Sequence, residues 1–198
     1  MSPDRLRGAD AACKCLLRLR WAALPVEPMD LFKHLRRMVK LISYEELAQA
    51  DSEAAYALRH TAPEAEGQTF TAHTEDGRHE MLFVLYRASG HPGRVRHTLA
   101  HELGHVALGH REDSAACDAQ AEAFASALLC PPGLPERLAE ALGAALTAEQ
   151  LAAVCGISRE AARLALRTPE EMRELPSARE AAEMLLPAGV ERVRLFGF

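Results

Sequence analysis

The sequence predicts an α+β fold in which a small, mostly antiparallel sheet packs on one histidine-bearing helix and is followed by a C-terminal helical part. Two apolar stretches typical of strands, 68–74 and 79–87, flank an Asp-Gly pair of the kind that tight hairpins favour. Apolar residues at helical spacing then cover 96–108 and 114–129, and Pro residues end the second stretch. Most of the chain beyond it has helical composition.

The other elements follow from periodicity and from Gly and Pro punctuation. Before the hairpin, we expect helices over 9–23, 29–38 and 45–58 and a strand over 39–44; after 129, we expect helices over 136–142, 148–154, 159–167 and about 178–186. The segment 190–198 alternates like a strand or a docking tail. Residues 81–86 are nearly all apolar, which predicts a strand that is covered on both faces or partly covered by a ligand.

Length and composition indicate a soluble protein with a substantial core. The chain has 198 residues, 48% of them hydrophobic, and a net charge of -5. This charge argues against a nucleic-acid surface over the whole molecule. No apolar run is long enough for a membrane span, the N-terminus is charged, and the five cysteines are scattered, so we expect a cytoplasmic protein. We divide it into an N-terminal helical extension (1–24), a core (25–135) and a helical C-terminal part (136–198).

The most informative motif is His101-Glu102-Leu103-Gly104-His105. Residues four apart lie on the same face of a helix, so His101 and His105 can bind one ion. Zinc lowers the pKa of water, and Glu102 lies beside this face, where it can accept the proton. The motif therefore predicts a hydrolytic metal site. Gly104, inside the helix, indicates a close approach by either substrate or another helix.

A catalytic zinc needs a third protein ligand and an open fourth position. The next helix offers Asp118 and Glu122, which are four residues apart and face the same way. One carboxylate can bind the ion while the other orients a histidine ligand. If this helix is considered without its neighbour, Asp118 and Glu122 are interpreted as a solvated acidic face. A stripe of His97, His101 and His105 is an alternative ligand set, although three ligands on one straight helix converge poorly. We interpret His110 as a solvated residue at the helix end.

Two linked motifs resemble the ImmA/IrrE-type metallopeptidases. They are RVRHTLAHELGHVALGH (94–110) and DAQAEAFASALLCP (118–131), in the order of that family, and 24–47 and 151–166 extend the likeness. The resemblance implies a zincin-like fold. It also implies that His101 and His105 bind zinc, that Glu102 is the general base and that Asp118 is the carboxylate ligand. This chain has Asp118 where the family usually has Glu, and Glu122 where it usually has Asn or Asp, so Glu122 is the alternative ligand, but we favour Asp118.

The residues alone predict a hydrolase, with zinc as the metal and Mn²⁺ or Fe²⁺ also compatible with the ligands. The resemblance implies a zinc metalloendopeptidase that cleaves a helix-turn-helix repressor and so regulates transcription in a prophage, mobile element or stress response. The alternative is a repressor-binding protein that does not cleave. Residues 151–166 imitate a DNA-binding hairpin, but we expect no DNA binding. Candidate oxyanion donors are Tyr86, His91, Arg94 and His73.

Overall fold

The structure is a computed structural model that describes residues 1–35, 39–50, 65–73 and 80–197. The strands are β1 (Val39–Ser43), β2 (Gly67–His73) and β3 (Glu80–Tyr86). The helices are α1 (Pro3–Leu19), α2 (Pro28–Phe32), α3 (Tyr44–Gln49), α4 (Pro92–Leu108), α5 (Ala115–Leu129), α6 (Leu134–Leu142), α7 (Ala148–Cys155), α8 (Arg159–Ala165), α9 (Glu170–Arg173) and α10 (Pro176–Leu195). The α+β prediction is confirmed.

The three strands form a mixed sheet in the order β1-β3-β2. β2 and β3 pair antiparallel, as the hairpin prediction requires, whereas β1 pairs parallel to β3. The sheet is therefore mixed rather than mostly antiparallel. The reason is the connection between β1 and β2, which includes α3. This connection takes the chain from one side of β3 to the other, so β1 and β2 are not joined by a tight turn. The tight turn predicted at 75–78 lies outside the described residues.

The central strand β3 is covered on both faces, as its apolar sequence predicted. Leu82 and Val84 point into the main core, while Leu85 packs with Leu47 of α3 on the opposite face. This alternation follows from the two-residue period of a strand. The described part of α3 covers the start of the predicted helix 45–58, and 51–64 lie outside the described residues.

Helices α4 and α5 pack closely against one another, and Gly104 lies at their contact. A Cβ atom there would approach the Ala121 Cα atom to 3.1 Å and the Phe124 Cβ atom to 3.1 Å. Of the two explanations for this glycine, the structure supports a close helix contact. Gly109 then ends α4 in the left-handed conformation, as its position predicted.

The N-terminal helix begins and ends earlier than predicted. Ser2 caps it, Pro3 occupies its first turn, and the chain leaves it at Arg20 instead of continuing to Ala23. α1 packs on α5, where a Cβ atom at Gly8 would lie only 2.1 Å from the Gln120 carbonyl oxygen. The division at residues 24 and 135 remains a prediction, and the main core draws buried residues from all three segments.

The prediction of a strand over 190–198 is wrong, whereas that of a docking tail stays a prediction. The last helix runs on through Pro187 to Leu195, well beyond the predicted end near 186. Leu185, Gly189 and Val193 are buried, and their four-residue spacing gives this helix one continuous inward face. The helical hairpin of α7 and α8 forms as expected. No helix among the described residues is long and apolar enough to cross a membrane.

Candidate metal centre

Helix α4 brings the two histidines of the HExxH motif to one point. Their four-residue spacing stacks them on the same face, and the Nε2 atoms of His101 and His105 are 3.1 Å apart. Both imidazoles are partly buried. The helical spacing that predicted this pair is therefore sufficient to form it.

The third member of the cluster is Asp118 in the first turn of α5. Ser114 caps this helix by accepting a hydrogen bond from the Cys117 amide, which fixes where its first turn begins. An Asp118 oxygen lies 3.3 Å from the Nε2 atom of His101. One atom from each of His101, His105 and Asp118 lies within 4.8 Å of the other two. The predicted trio is thus assembled from two neighbouring helices.

These three groups suit a bound cation. Ligand atoms that share one tetrahedral zinc ion at roughly 2.0–2.1 Å lie about 3.3 Å from each other, which is close to the 3.1 Å and 3.3 Å observed here. Two nitrogens and one carboxylate oxygen are also a ligand set of catalytic zinc. If the Nδ1 atoms of His101 and His105 both carry the proton, two Nε2 lone pairs face each other, and a cation between them removes the repulsion.

Glu122 lies behind His101 rather than among the three converging groups. One of its oxygens is 3.5 Å from the Nδ1 atom of His101, and the other is 3.3 Å from His97. Hydrogen bonds from His101 and His97 hold the pKa of Glu122 well below its usual range. Burial lowers the pKa of His101, but the hydrogen bond to Glu122 and the nearby carboxylates outweigh it and raise the net value. His97 thus contacts Glu122, one helical turn away from the cluster.

Behind His105 lies a contact that sequence reasoning missed. The Nδ1 atoms of His105 and His110 are 3.0 Å apart, and the Nε2 atom of His110 is 3.2 Å from the Gln120 side-chain oxygen. The interpretation of His110 as a solvated end residue is wrong, because the left-handed turn at Gly109 brings it back over the helix. Burial, together with His101 and His110, lowers the pKa of His105 to about 4.

Glu102 is buried at the edge of the cleft, with 5% of its surface exposed. It accepts a hydrogen bond of 2.7 Å from the Thr69 hydroxyl of β2. Burial raises the pKa of Glu102, and the bond from Thr69 acts against this increase. Gly67 allows β2 to approach, since a Cβ atom there would lie 2.7 Å from a Glu102 oxygen. No spacing rule relates residues 67 and 69 to 102, so the sequence pattern did not reveal them.

The cluster opens onto a cavity of about 510 Å³ between the sheet and the two helices. One wall is the start of β2, and the opposite wall is the loop that leads into α5. His101, Glu102, His105 and Asp118 all line it. This size is within the range of small-ligand and active-site pockets.

Three of the four candidate oxyanion donors, His91, Arg94 and Tyr86, do not line this cavity. His91 caps α4, where its Nδ1 atom accepts a hydrogen bond from the Gly93 amide. Arg94 is 3.8 Å from Glu66 and faces a separate cavity of about 930 Å³. Tyr86, near Glu45 and Glu46, does not line the metal-cluster cavity. The side chain of His73 lies outside the described residues.

A comparison with known families agrees with this geometry. The Peptidase M78 family model, described as an IrrE N-terminal-like domain, matches residues 43–167, which is more than half of the chain. The chain belongs to this family. None of the curated proteins matches it. Family membership confirms the resemblance to ImmA/IrrE-type metallopeptidases and supports a metal-dependent peptidase at the family level.

Membership in the M78 family also implies a metal ion, and His101, His105 and Asp118 are the described residues that fit it. The matched segment contains β2, β3, α4 and α5, so both walls of the cavity fall within it. α1 and α10 lie outside the match, although both pack into the same core.

Proposed function

We propose that this protein is a zinc-dependent endopeptidase that cleaves one peptide bond in a helix-turn-helix transcriptional repressor. The observation that carries the proposal is the convergence of His101, His105 and Asp118 beside the buried carboxylate of Glu102. Two imidazoles, one carboxylate and an adjacent base on an open cavity are the elements that hydrolysis of a peptide bond requires.

In this proposal, His101, His105 and Asp118 hold the ion. Zinc, when bound, supplies Lewis-acid polarisation of a carbonyl group and lowers the pKa of water. Glu102 accepts the proton of the attacking water and passes it to the leaving amine. Thr69 donates a hydrogen bond to one oxygen of Glu102, and Glu102 lines the cavity beside the three converging groups.

The substrate chain is proposed to bind along β2. This strand is at the edge of the sheet and pairs with β3 on one side, and within the described ranges no strand pairs with its other side. Gly67, Gln68 and Thr69 line the cavity, so an extended peptide that adds to this edge passes over the cluster. Backbone pairing would then supply affinity in general, and side-chain contacts the selectivity.

Direct DNA binding forms no part of this function. On the hairpin of α7 and α8, Arg159 lies 3.3 Å from Glu149 and Arg163 lies 3.2 Å from Glu160. These acidic partners reduce the positive charge available for phosphate contacts. A repressor that carries its own DNA-binding domain is therefore the partner we propose, and transcription is regulated through its loss.

The alternative is a protein that inactivates a repressor by binding alone. The exchange of Asp and Glu at 118 and 122 suggested it, since a displaced carboxylate would fill the open ligand position. Glu122 instead contacts the Nδ1 atom of His101, and Asp118 lies among the converging groups. This placement favours the peptidase.

Replacing Glu102 with Gln separates the two functions. The purified protein would be incubated, with and without chelator, with the repressor-like protein encoded nearest to its own gene. We expect specific fragments from the wild type, none after chelation, and a rate at least about 100-fold lower for Glu102→Gln with binding retained. Glu112→Gln, the same change at an exposed position, is the control. Release of the repressor from DNA without fragments, unchanged in Glu102→Gln, would establish the binding function instead.

A further inference from the structure

A chain of four side chains connects His105 to the N-terminal helix. The Nδ1 atom of His105 contacts that of His110 at 3.0 Å, and the Nε2 atom of His110 contacts the Gln120 oxygen at 3.2 Å. Gln120 donates from its nitrogen to an oxygen of Asp4 at 2.7 Å. Gln120 is 6% exposed, so the middle of this chain is shielded from water.

The chemistry of these groups gives the chain a single direction. An ionised Asp4 only accepts hydrogen bonds, so Gln120 must turn its NH₂ group to Asp4 and its oxygen to His110. The Nε2 atom of His110 must then donate, which in a neutral imidazole leaves its Nδ1 atom as an acceptor. His105 therefore donates from Nδ1, and its Nε2 atom keeps a lone pair that faces His101 and Asp118.

The packing of α1 places Asp4 at the end of this chain. Gly8 is one turn after Asp4 on the same face of α1, and it is buried against the backbone of Gln120. Because Gly8 has no side chain, the two helices approach closely enough for Asp4 to reach the Gln120 amide. The close contact and the hydrogen bond thus involve the same residue of α5.

We propose that Asp4 is a positioning residue for the metal site, which acts through Gln120 and His110 to hold His105 in the tautomer and orientation that bind the ion. This inference rests on the proposed metal-binding role of His105. Histidine ligands are commonly oriented by a carboxylate on their second nitrogen, and here the carboxylate acts at a distance through two intermediates. Asp4 lies outside residues 43–167, so the family match does not supply it.

The affinity of the metal-free protein for zinc tests this role without an activity assay. Titration against a chromophoric chelator should show about tenfold weaker binding for Asp4→Ala, since loss of such outer contacts costs about 10–100-fold. Asp4→Asn keeps an accepting oxygen and should lose less. Ser2→Ala is the control, because it removes the cap of α1 and leaves the four side chains intact. Equal zinc affinity in Asp4→Ala and the wild type would overturn the proposal.

A double-mutant cycle distinguishes this chain from a general effect of α1 on folding. His110→Phe keeps a ring but breaks the chain next to His105. In that background, Asp4→Ala should change the zinc affinity by about twofold or less, because the link is already cut. If Asp4 acts only by docking α1, its effect would instead be the same with His110 or Phe at 110, and the proposal would fail.

The Nδ1 proton of His105 provides a second readout. In nitrogen-15 NMR of the zinc-bound wild type, we expect a slowly exchanging His105 Nδ1–H signal that Asp4→Ala exposes to rapid exchange. An unchanged signal would contradict the positioning role. Failure of the positioning role is distinguishable from failure of the proposed function. If only the positioning role fails, the wild type still binds zinc and cleaves. If the proposed function fails, the wild type binds no zinc or produces no fragments.

Discussion

His101 and His105 lie one turn apart on the same helix, yet the structure supports them differently. The Nδ1 atom of His101 faces the carboxylate of Glu122 directly, at 3.5 Å. That of His105 faces a second imidazole, and its carboxylate, Asp4, is two further side chains away. One support is contained in α4 and α5, and the other reaches across the fold to α1.

The difference shows which parts of a metal site are local. Glu122 lies four residues after Asp118 on α5, so one helix supplies both a proposed ligand and the support of another. The support of His105 depends instead on how α1 docks, through contacts between residues more than 100 positions apart. The two supports should therefore respond to different mutations.

The largest difference is expected between Glu122→Gln and Asp4→Asn. Glu122→Gln removes the charge in direct contact with His101, and we expect zinc affinity to fall by about 10–100-fold. Asp4→Asn removes a charge three hydrogen bonds away from His105, and the resulting loss of zinc affinity should be several times smaller. The chelator titration measures both. Equal losses, or a larger loss for Asp4→Asn, would contradict the proposed difference between the supports.

A second test acts on α1 alone. In Gly8→Ala, the new methyl group collides with the Gln120 carbonyl oxygen, so α1 must shift. We expect the free energy of unfolding to fall by about 1–3 kcal/mol in denaturant titrations. The matched control is Gly93→Ala in α4, where the nearest atom to a new Cβ belongs to the side chain of His91, at 3.3 Å, and the nearest backbone atom, the Ser158 nitrogen, is 3.9 Å away. If Gly8→Ala is as stable as this control, the close docking of α1 on Gln120 is incorrect.

A third and smaller effect is expected in the loop that leads into α4, rather than in either histidine support. Glu45 accepts hydrogen bonds from the Ala88 and Ser89 amides, just before α4 begins. The Ser89 side chain and these amides lower the pKa of Glu45 to about 2. Its contribution to stability is therefore complete above the ordinary pKa near 4.5 and is lost as the pH falls towards 2.

Glu45→Gln should accordingly be less stable than the wild type at pH 7, with the difference shrinking by pH 3. Denaturant unfolding at the two pH values measures it. A difference that is the same at both pH values would show that the charge of Glu45 does not stabilise this loop.

The parts of the molecule that follow from short spacing were predictable from the sequence. The pairing of His101 with His105, the placement of Asp118 on the next helix and the β2–β3 hairpin all depend on local periodicity. The structure confirms that these elements form and that the three side chains converge.

Other features depend on contacts that no local pattern contains. The hydrogen bond from Thr69 to Glu102 and that from Gln120 to Asp4 each join separate elements. The parallel pairing of β1 with β3 depends on the path of the chain between the two strands, which includes α3. The continuation of α10 beyond Pro187 depends on a buried face that the alternating pattern of 190–198 concealed.

The central claim is that His101, His105 and Asp118 hold one divalent ion, and metal analysis of the purified protein tests it most directly. After saturation with zinc and removal of the excess, we predict about one zinc per wild-type chain. His105→Ala should lose most of it, and Glu112→Gln should retain it. A wild type that remains metal-free under saturating zinc, or a His105→Ala variant that keeps the full amount, would contradict the account.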